Sequence, residues 1–263
     1  MSTSDSPAEG YLRDWHLRHP DASRVFVDAY DDRGRTSYDR LASLTAGSTS
    51  VIDVGCGTGT LLSVIRDTVP SANLTGIDLS ESELRLAVAR VPTAGFSAAR
   101  AQALPLAAGS ADIVVCHMAL MLMDRPDEVL SEFRRVLRAG GCFAAVLNRS
   151  APPGDSARAI LKSLRPLWER SDDSLHPPTL GDSRTSDSEA LASLVEPHFD
   201  RVSVEPFDVV RRVSRDDLWP FLVDLLYGLD AIAESEARAI LDGIDLPNPV
   251  PWTIPMVQVQ GRA

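Results

Sequence analysis

The stretch of the chain richest in chemical possibility is VIDVGCGTGT, residues 51–60. An apolar, β-branched run carries Asp53 and passes directly into Gly55, Gly57 and Gly59, the pattern of a strand turning sharply into a helix. Glycines at such a turn let the backbone approach a ligand closely and present N–H groups from a helix N-terminus. A dinucleotide-binding fingerprint requires GxGxxG, yet Thr60 stands where its third glycine belongs, and Asp53 inside the strand is out of place for a nicotinamide site. A second carboxylate, Asp78, closes the next strand-like run, NLTGID. His16 and His19 lie one helical turn apart with Asp14 and Asp21 close by, but this set lacks the further ligands that a metal geometry demands, and no metal is expected.

Four segments in order, VIDVGCGTGTLL, TGIDLSESEL, ARAQALPLAAGSADIVVCHMAL and DEVLSEFRRVLRAGG, resemble the class I S-adenosylmethionine-dependent methyltransferases. The likeness covers roughly residues 41 to 150 well and the remainder only in outline. Within that family the chain looks most like the small-molecule branch of quinone-biosynthesis and natural-product enzymes. The resemblance implies S-adenosyl-L-methionine as cofactor. The loop of Gly55, Cys56, Gly57 and Gly59 would cradle its methionine portion, and Asp53 would help hold its ammonium group. Asp78 would accept hydrogen bonds from both ribose hydroxyls, which suits a group that offers only acceptors. Leu79 would pack on the adenine, Ala101 and Gln102 fall where the family binds the adenine edge, and the backbone at Cys116 and His117 would meet the cofactor. One departure is plain: the family writes an acidic residue where this chain has Arg100, and an arginine has no acceptor for the adenine amino group.

Methyl transfer from a sulfonium depends on alignment and water exclusion and does not require a strong base. The candidate base is His117, directly after a strand, where it either takes a proton from a hydroxyl or amine or hydrogen-bonds locally to fix its loop. Met118, Met121 and Met123 beside it line a pliable apolar pocket or pack the core. VVCHMALM carries neither the Asn/Asp-Pro-Pro-Tyr motif of amino-methyltransferases nor the Pro-Cys pair of cytosine C5 enzymes. An N-terminal helix bearing Tyr11, Trp15 and His16 is expected to fold over the cofactor and help form a substrate pocket. Asn148, Trp219 and Tyr227 are its other candidate residues. The alternatives are an RNA- or protein-directed methyltransferase and a cofactor-binding scaffold without transfer activity.

These residues must be positioned by alternating strands and helices. Strand-like runs end near residues 54, 78, 99, 116 and 147, with helical spacing between them, and Ser80 with Glu83 reads as a capping box. Asp124 is read as the cap of the helix that Pro126 opens and Gly140–Gly141 close. The expected fold is α/β, a Rossmann-like doubly wound, seven-stranded, mostly parallel sheet with helical cap insertions. Residues 1–9 read as a disordered tail and 10–263 as one domain. Within it lie an N-terminal helical cap (10–47), a cofactor-binding core (48–149), helical insertions (150–199 and 214–243) and terminal strands (200–213 and 251–260).

With 263 residues the chain can bury a substantial core, and its formal net charge of −11 disfavours a general nucleic-acid grip, which works through phosphate neutralisation. Three cysteines without CxxC spacing suggest neither a disulfide framework nor a cysteine zinc site. No apolar leader region and no membrane-length apolar run is present in the sequence. The sequence therefore predicts a cytoplasmic monomer or homodimer acting on a small-molecule acceptor, with no nucleic-acid or membrane partner.

Overall fold

A computed structural model of the protein describes residues 6–263. Among them the strands are β1 (Ala29–Tyr30), β2 (Ser50–Val54), β3 (Asn73–Asp78), β4 (Gly95–Ala98), β5 (Ala111–His117), β6 (Leu137–Asn148), β7 (Asp200–Val213) and β8 (Val250–Arg262). They form one sheet in the order β1-β7-β8-β6-β5-β2-β3-β4. The pairs from β4 to β6 are parallel, and β8, β7 and β1 add to that edge antiparallel. From β2 the chain winds outward through β3 and β4, then returns to lay β5 and β6 on the other side of β2. The strand order reverses there, and in open α/β sheets the carboxyl ends of strands at such a point diverge into a ligand crevice.

The central strands are apolar on both sides, so each supplies two cores. Val51, Ile113, Val115, Ala144 and Val146 face one cluster, which α3 (Thr60–Thr68), α6 (Asp155–Trp168), α8 (Leu218–Leu225) and α9 (Glu234–Asp242) cover. Ile52, Val54, Val114, Cys116, Phe143 and Leu147 face the other, under α5 (Pro126–Val136) and α7 (Ser188–Val195). The one-residue alternation of a strand makes this two-sided burial possible. The remaining helices are α1 (Pro7–Arg18), α2 (Ser37–Ser43) and α4 (Glu81–Arg90).

Four readings are corrected. The sheet has eight strands where seven were expected, because Ala29 and Tyr30, within the segment read as a helical cap, pair with Arg211 and Val210. Residues 1–5 of the stretch read as a tail lie outside the described residues, and 6–9 are ordered in a helix start: Ser6 caps α1, accepting from the Glu9 N–H while the Glu9 carboxylate accepts from the Ser6 N–H. Asp124 does not cap α5. The preceding residue there is Arg125 in a left-handed conformation without a side-chain cap. Gly140 and Gly141 do not end that helix, since β6 already begins at Leu137 opposite Ala111 and the next paired residues are Ile113 and Cys142.

Phe133 of α5 is fully buried, with its ring 5.5 Å from that of Phe143. Phe133→Ala should cost about 3–5 kcal/mol of unfolding free energy, read from the midpoint shift in a denaturant titration.

Candidate functional site

A cleft opens at the carboxyl ends of β2, β3 and β5, floored by the glycine loop and Asp78 and roofed by α1 and the end of α8. Gly55, Gly57 and Gly59 all have positive φ, 74°, 50° and 76°. At Gly55 a side chain would fail twice, since an added Cβ would also overlap the Cβ of Ala119. The loop's N–H groups are engaged from within: those of Gly55 and Cys56 donate to the Ile77 carbonyl at 2.7 and 3.1 Å, and that of Gly57 to Asp78 Oδ2 at 2.8 Å. Three donors that a phosphate cradle would aim outward are thus turned onto β3, which disfavours a phosphate-binding reading of the loop. Asp78 Oδ1 accepts from the Ser80 N–H at 2.8 Å, so each oxygen takes one of these bonds and keeps further acceptor capacity in a residue that lines the cleft.

Asp53 lies beneath the loop, 1% exposed, and neither carboxylate oxygen has a hydrogen-bond partner. Burial first, and the Asp78 charge second, hold its carboxyl well above the usual range. Asp53 does not itself line the cleft, but a buried, unsatisfied carboxylate next to a second carboxylate is what a cationic group would relieve, so this pair of acceptors fits the ammonium of S-adenosylmethionine.

On the adenine side, Leu79, Ala101 and Gln102 line the cleft. Gln102 Nε2 donates to the Asp124 carbonyl at 2.6 Å, which leaves its carbonyl oxygen and its second N–H for recognition. Arg100, where the family writes an acid, pairs with Glu9 of α1 at 2.6 Å, and both line the cleft. A carboxylate is therefore brought to this wall by the N-terminal helix. Sequence reading missed Glu9 by assigning it to the tail, although the Ser6-Pro-Ala-Glu9 capping-box spacing was the available signal.

Glu83 was missed in a different way. Its N–H donates to Ser80 Oγ at 3.4 Å as a capping box requires, but its carboxylate is 2% exposed, faces the cleft and leaves Oε1 without a partner. Burial first and the Asp78 charge second raise its pKa to about 7.

His117 reaches the cleft wall, yet its Nε2 is 2.8 Å from Ser37 Oγ, its ring stacks on Tyr38 at 4.0 Å, and burial lowers its pKa to about 3. The Ser37 and Tyr38 contacts are those of a histidine that fixes its loop, and the lowered pKa makes it a weak base. Met118 follows with φ 54°, a left-handed conformation that costs a side-chain-bearing residue roughly 1–2 kcal/mol, and Met121 and Met123 also line the cleft.

The structure brings Trp15, His16, Asn148 and Tyr227 to the cleft, and the Trp15 and Tyr227 rings meet edge to face at 4.6 Å. Two expected pocket residues stand outside it. Tyr11 packs edge-on behind Tyr227 at 6.3 Å with its hydroxyl 3.5 Å from the Leu175 carbonyl, and Trp219 is 5% exposed in the core that α8 covers. Cys116 and Cys56 are buried, their thiols pushed up by burial, so they shape the site without reacting in it. His19 Nε2 pairs with Asp230 at 3.1 Å.

The model of the methyltransferase domain matches residues 52–145. A malonyl-[acyl-carrier protein] O-methyltransferase of Pseudescherichia vulneris is 30% identical over 193 residues, covering 68% of this chain and 71% of that protein. The chain belongs to the class I S-adenosylmethionine-dependent methyltransferases. A malonyl-[acyl-carrier protein] O-methyltransferase of Laribacter hongkongensis is 34% identical over 151 residues, 47% of this chain and 50% of its own length. The chain spans about half the length of several curated relatives it matches. Among solved structures, the [4+2]-cyclase SpnF superposes with a TM-score of 0.56 at 18% identity over 98% of this chain and 95% of that one, a likeness of fold alone. Among the described residues no helix of this methyltransferase is long and apolar enough to cross a membrane.

Gly55→Ala should lower S-adenosylmethionine affinity at least about tenfold in calorimetry, since positive φ and the Ala119 contact both oppose it. For His117 the native pKa lies below the unfolded value, so the unfolded chain binds the extra proton and stability falls as pH drops from about 6.5 toward 3. His117→Gln should flatten that part of the stability profile by up to about 1.4 kcal/mol per pH unit, measured by denaturation across pH.

Proposed function

We propose that the protein transfers the methyl group of S-adenosylmethionine to an oxygen, nitrogen or carbon atom of a small organic molecule, a secondary metabolite or quinone-like compound of the cytoplasm. The observation that carries this reading is the buried, unpartnered Asp53 carboxylate under a glycine loop pinned to Asp78, at the point where the strand order reverses. When bound, the cofactor supplies an electrophilic methyl carbon on a sulfonium.

The chain's own residues do the rest. Asp53 offers its charge to the cofactor's ammonium, Asp78 keeps lone pairs for the ribose hydroxyls, and Leu79, Ala101 and Gln102 flank the adenine. Trp15, Tyr227 and the three methionines make the rest of the cleft largely apolar, which excludes water from the transfer and suits an organic acceptor. The relatives' names point to an acyl-carrier-bound malonyl group and an oxygen acceptor in those proteins, which supports O-methylation among the three possibilities. A net charge of −11 supports a small acceptor over a nucleic acid.

Calorimetric titration with S-adenosylmethionine and S-adenosylhomocysteine tests the cofactor site, and absence of heat with both at millimolar concentration would overturn it. Asp78→Ala removes charge-assisted hydrogen bonds worth about 1.5–3 kcal/mol each, so both ligands should bind about 10- to 100-fold more weakly. Labelled-methyl transfer to cell extracts should place the label in the small-molecule fraction, counting label freed from carrier protein by thioester cleavage, and label retained on polypeptide or nucleic acid after that cleavage would overturn the acceptor class.

A further inference from the structure

His16 of α1 and Glu83 of α4 face each other across the cleft with Nδ1 and Oε1 4.0 Å apart. That is too far for a hydrogen bond, and neither atom has another partner although both are buried. One oxygen or nitrogen atom placed about 2.8 Å from each would satisfy both. Trp15 Nε1, a third buried polar atom without a partner, belongs to the residue preceding His16 in the same wall. Unsatisfied buried polar groups are costly, and the two that meet from α1 and α4, on residues that line the cleft, mark a place where a ligand completes the hydrogen bonding.

We propose that His16 and Glu83 together grip one hydroxyl or amine group of a ligand bound beside Asp78. With the His16 proton on Nδ1, a hydroxyl suits the pair because it donates to Glu83 Oε1 and accepts from that N–H, whereas an ether or ketone oxygen leaves the carboxylate unsatisfied. The inference rests on the methyltransferase reading, which provides two sources of such a group: the ribose of the cofactor and the nucleophile of the acceptor.

The groups facing Glu83 are His16 from α1, the Asp21 N–H and carboxylate from the turn after α1, Asp78 from β3, Cys56 from the glycine loop, Arg90 from α4 itself and Tyr227 from beyond α8. Arg90 is drawn to Asp21, so the acids dominate around Glu83. A ligand that donates to Glu83 favours its ionised form, so binding tightens as pH rises through about 7.

The test titrates wild type, Glu83→Gln and His16→Asn with S-adenosylmethionine and S-adenosylhomocysteine from pH 6 to pH 8, with circular dichroism to establish that each variant is folded. Asp53 also titrates, so the informative quantity is the difference between wild type and Glu83→Gln. If the gripped group is a ribose hydroxyl, wild-type affinity for both ligands gains about tenfold from pH 6 to pH 8 relative to Glu83→Gln, and His16→Asn weakens both. If it belongs to the acceptor, cofactor affinities match wild type, while kcat/KM toward the acceptor isolated from extracts loses its acidic limb near pH 7 in Glu83→Gln. A folded Glu83→Gln protein matching wild type in both cofactor affinity and transfer profile would overturn the inference, leaving the pair a water-bridged structural contact. Failure of wild type to bind either cofactor form would instead sink the methyltransferase reading.

Discussion

The two hydrogen bonds that Asp78 accepts, from Gly57 N–H on the glycine loop and from Ser80 N–H at the start of α4, tie together the parts that make the site. Together with the Gly55 and Cys56 N–H bonds to the Ile77 carbonyl they set the height of the loop after β2 over β3, and they hold the first turn of α4, which carries Glu83, against it. Asp78 is therefore a structural clamp with lone pairs left over. Its position at the end of β3, next to the strand on which the sheet reverses direction, makes that clamp a ligand site as well.

The cost of this arrangement is an accumulation of negative charge. Asp78 and Glu83 line one end of the cleft and Asp53 is buried near Asp78; burial and the Asp78 charge both raise the pKa of Asp53 and of Glu83. Carboxylates buried close together are unfavourable without a partner and favoured when a cation or hydroxyl donors enter beside them. The cofactor of this family brings an ammonium, a sulfonium and two ribose hydroxyls. The protein's net charge of −11 is thus less relevant to binding than where three of its acids sit.

The N-terminal segment roofs this acidic end and is fastened at two points by arginines of the core. Arg100 holds Glu9 at the start of α1, and Arg90 holds Asp21 just after it, while Thr58 Oγ1 donates to Asp21 at 2.6 Å from the glycine loop. Between these points α1 places His16 opposite Glu83 and Trp15 against Tyr227. Arg100, a departure from the family pattern in its own segment, is accounted for by a residue about 90 positions away in sequence.

The sheet, the glycine turn, Asp53 and Asp78 were legible in the sequence because each is written locally: strand periodicity, glycines at a turn and an acid at a strand end lie within a few residues of one another. Glu83 was legible only in half, since the capping-box spacing reports its backbone and says nothing about where its carboxylate points. His117, a plausible base from its position after a strand, is placed by Ser37 and Tyr38, about 80 residues earlier, in a setting that keeps it neutral. Trp219 and Tyr227, alike on paper, part company because α8 turns one into the core and its far end brings the other over the cleft. Sequence by itself determined the fold class and the cofactor-binding half, through short-range patterns. Only the tertiary structure decided which buried polar atoms lack partners and which residues share the cleft, because partnership and burial depend on what long-range packing sets beside each group.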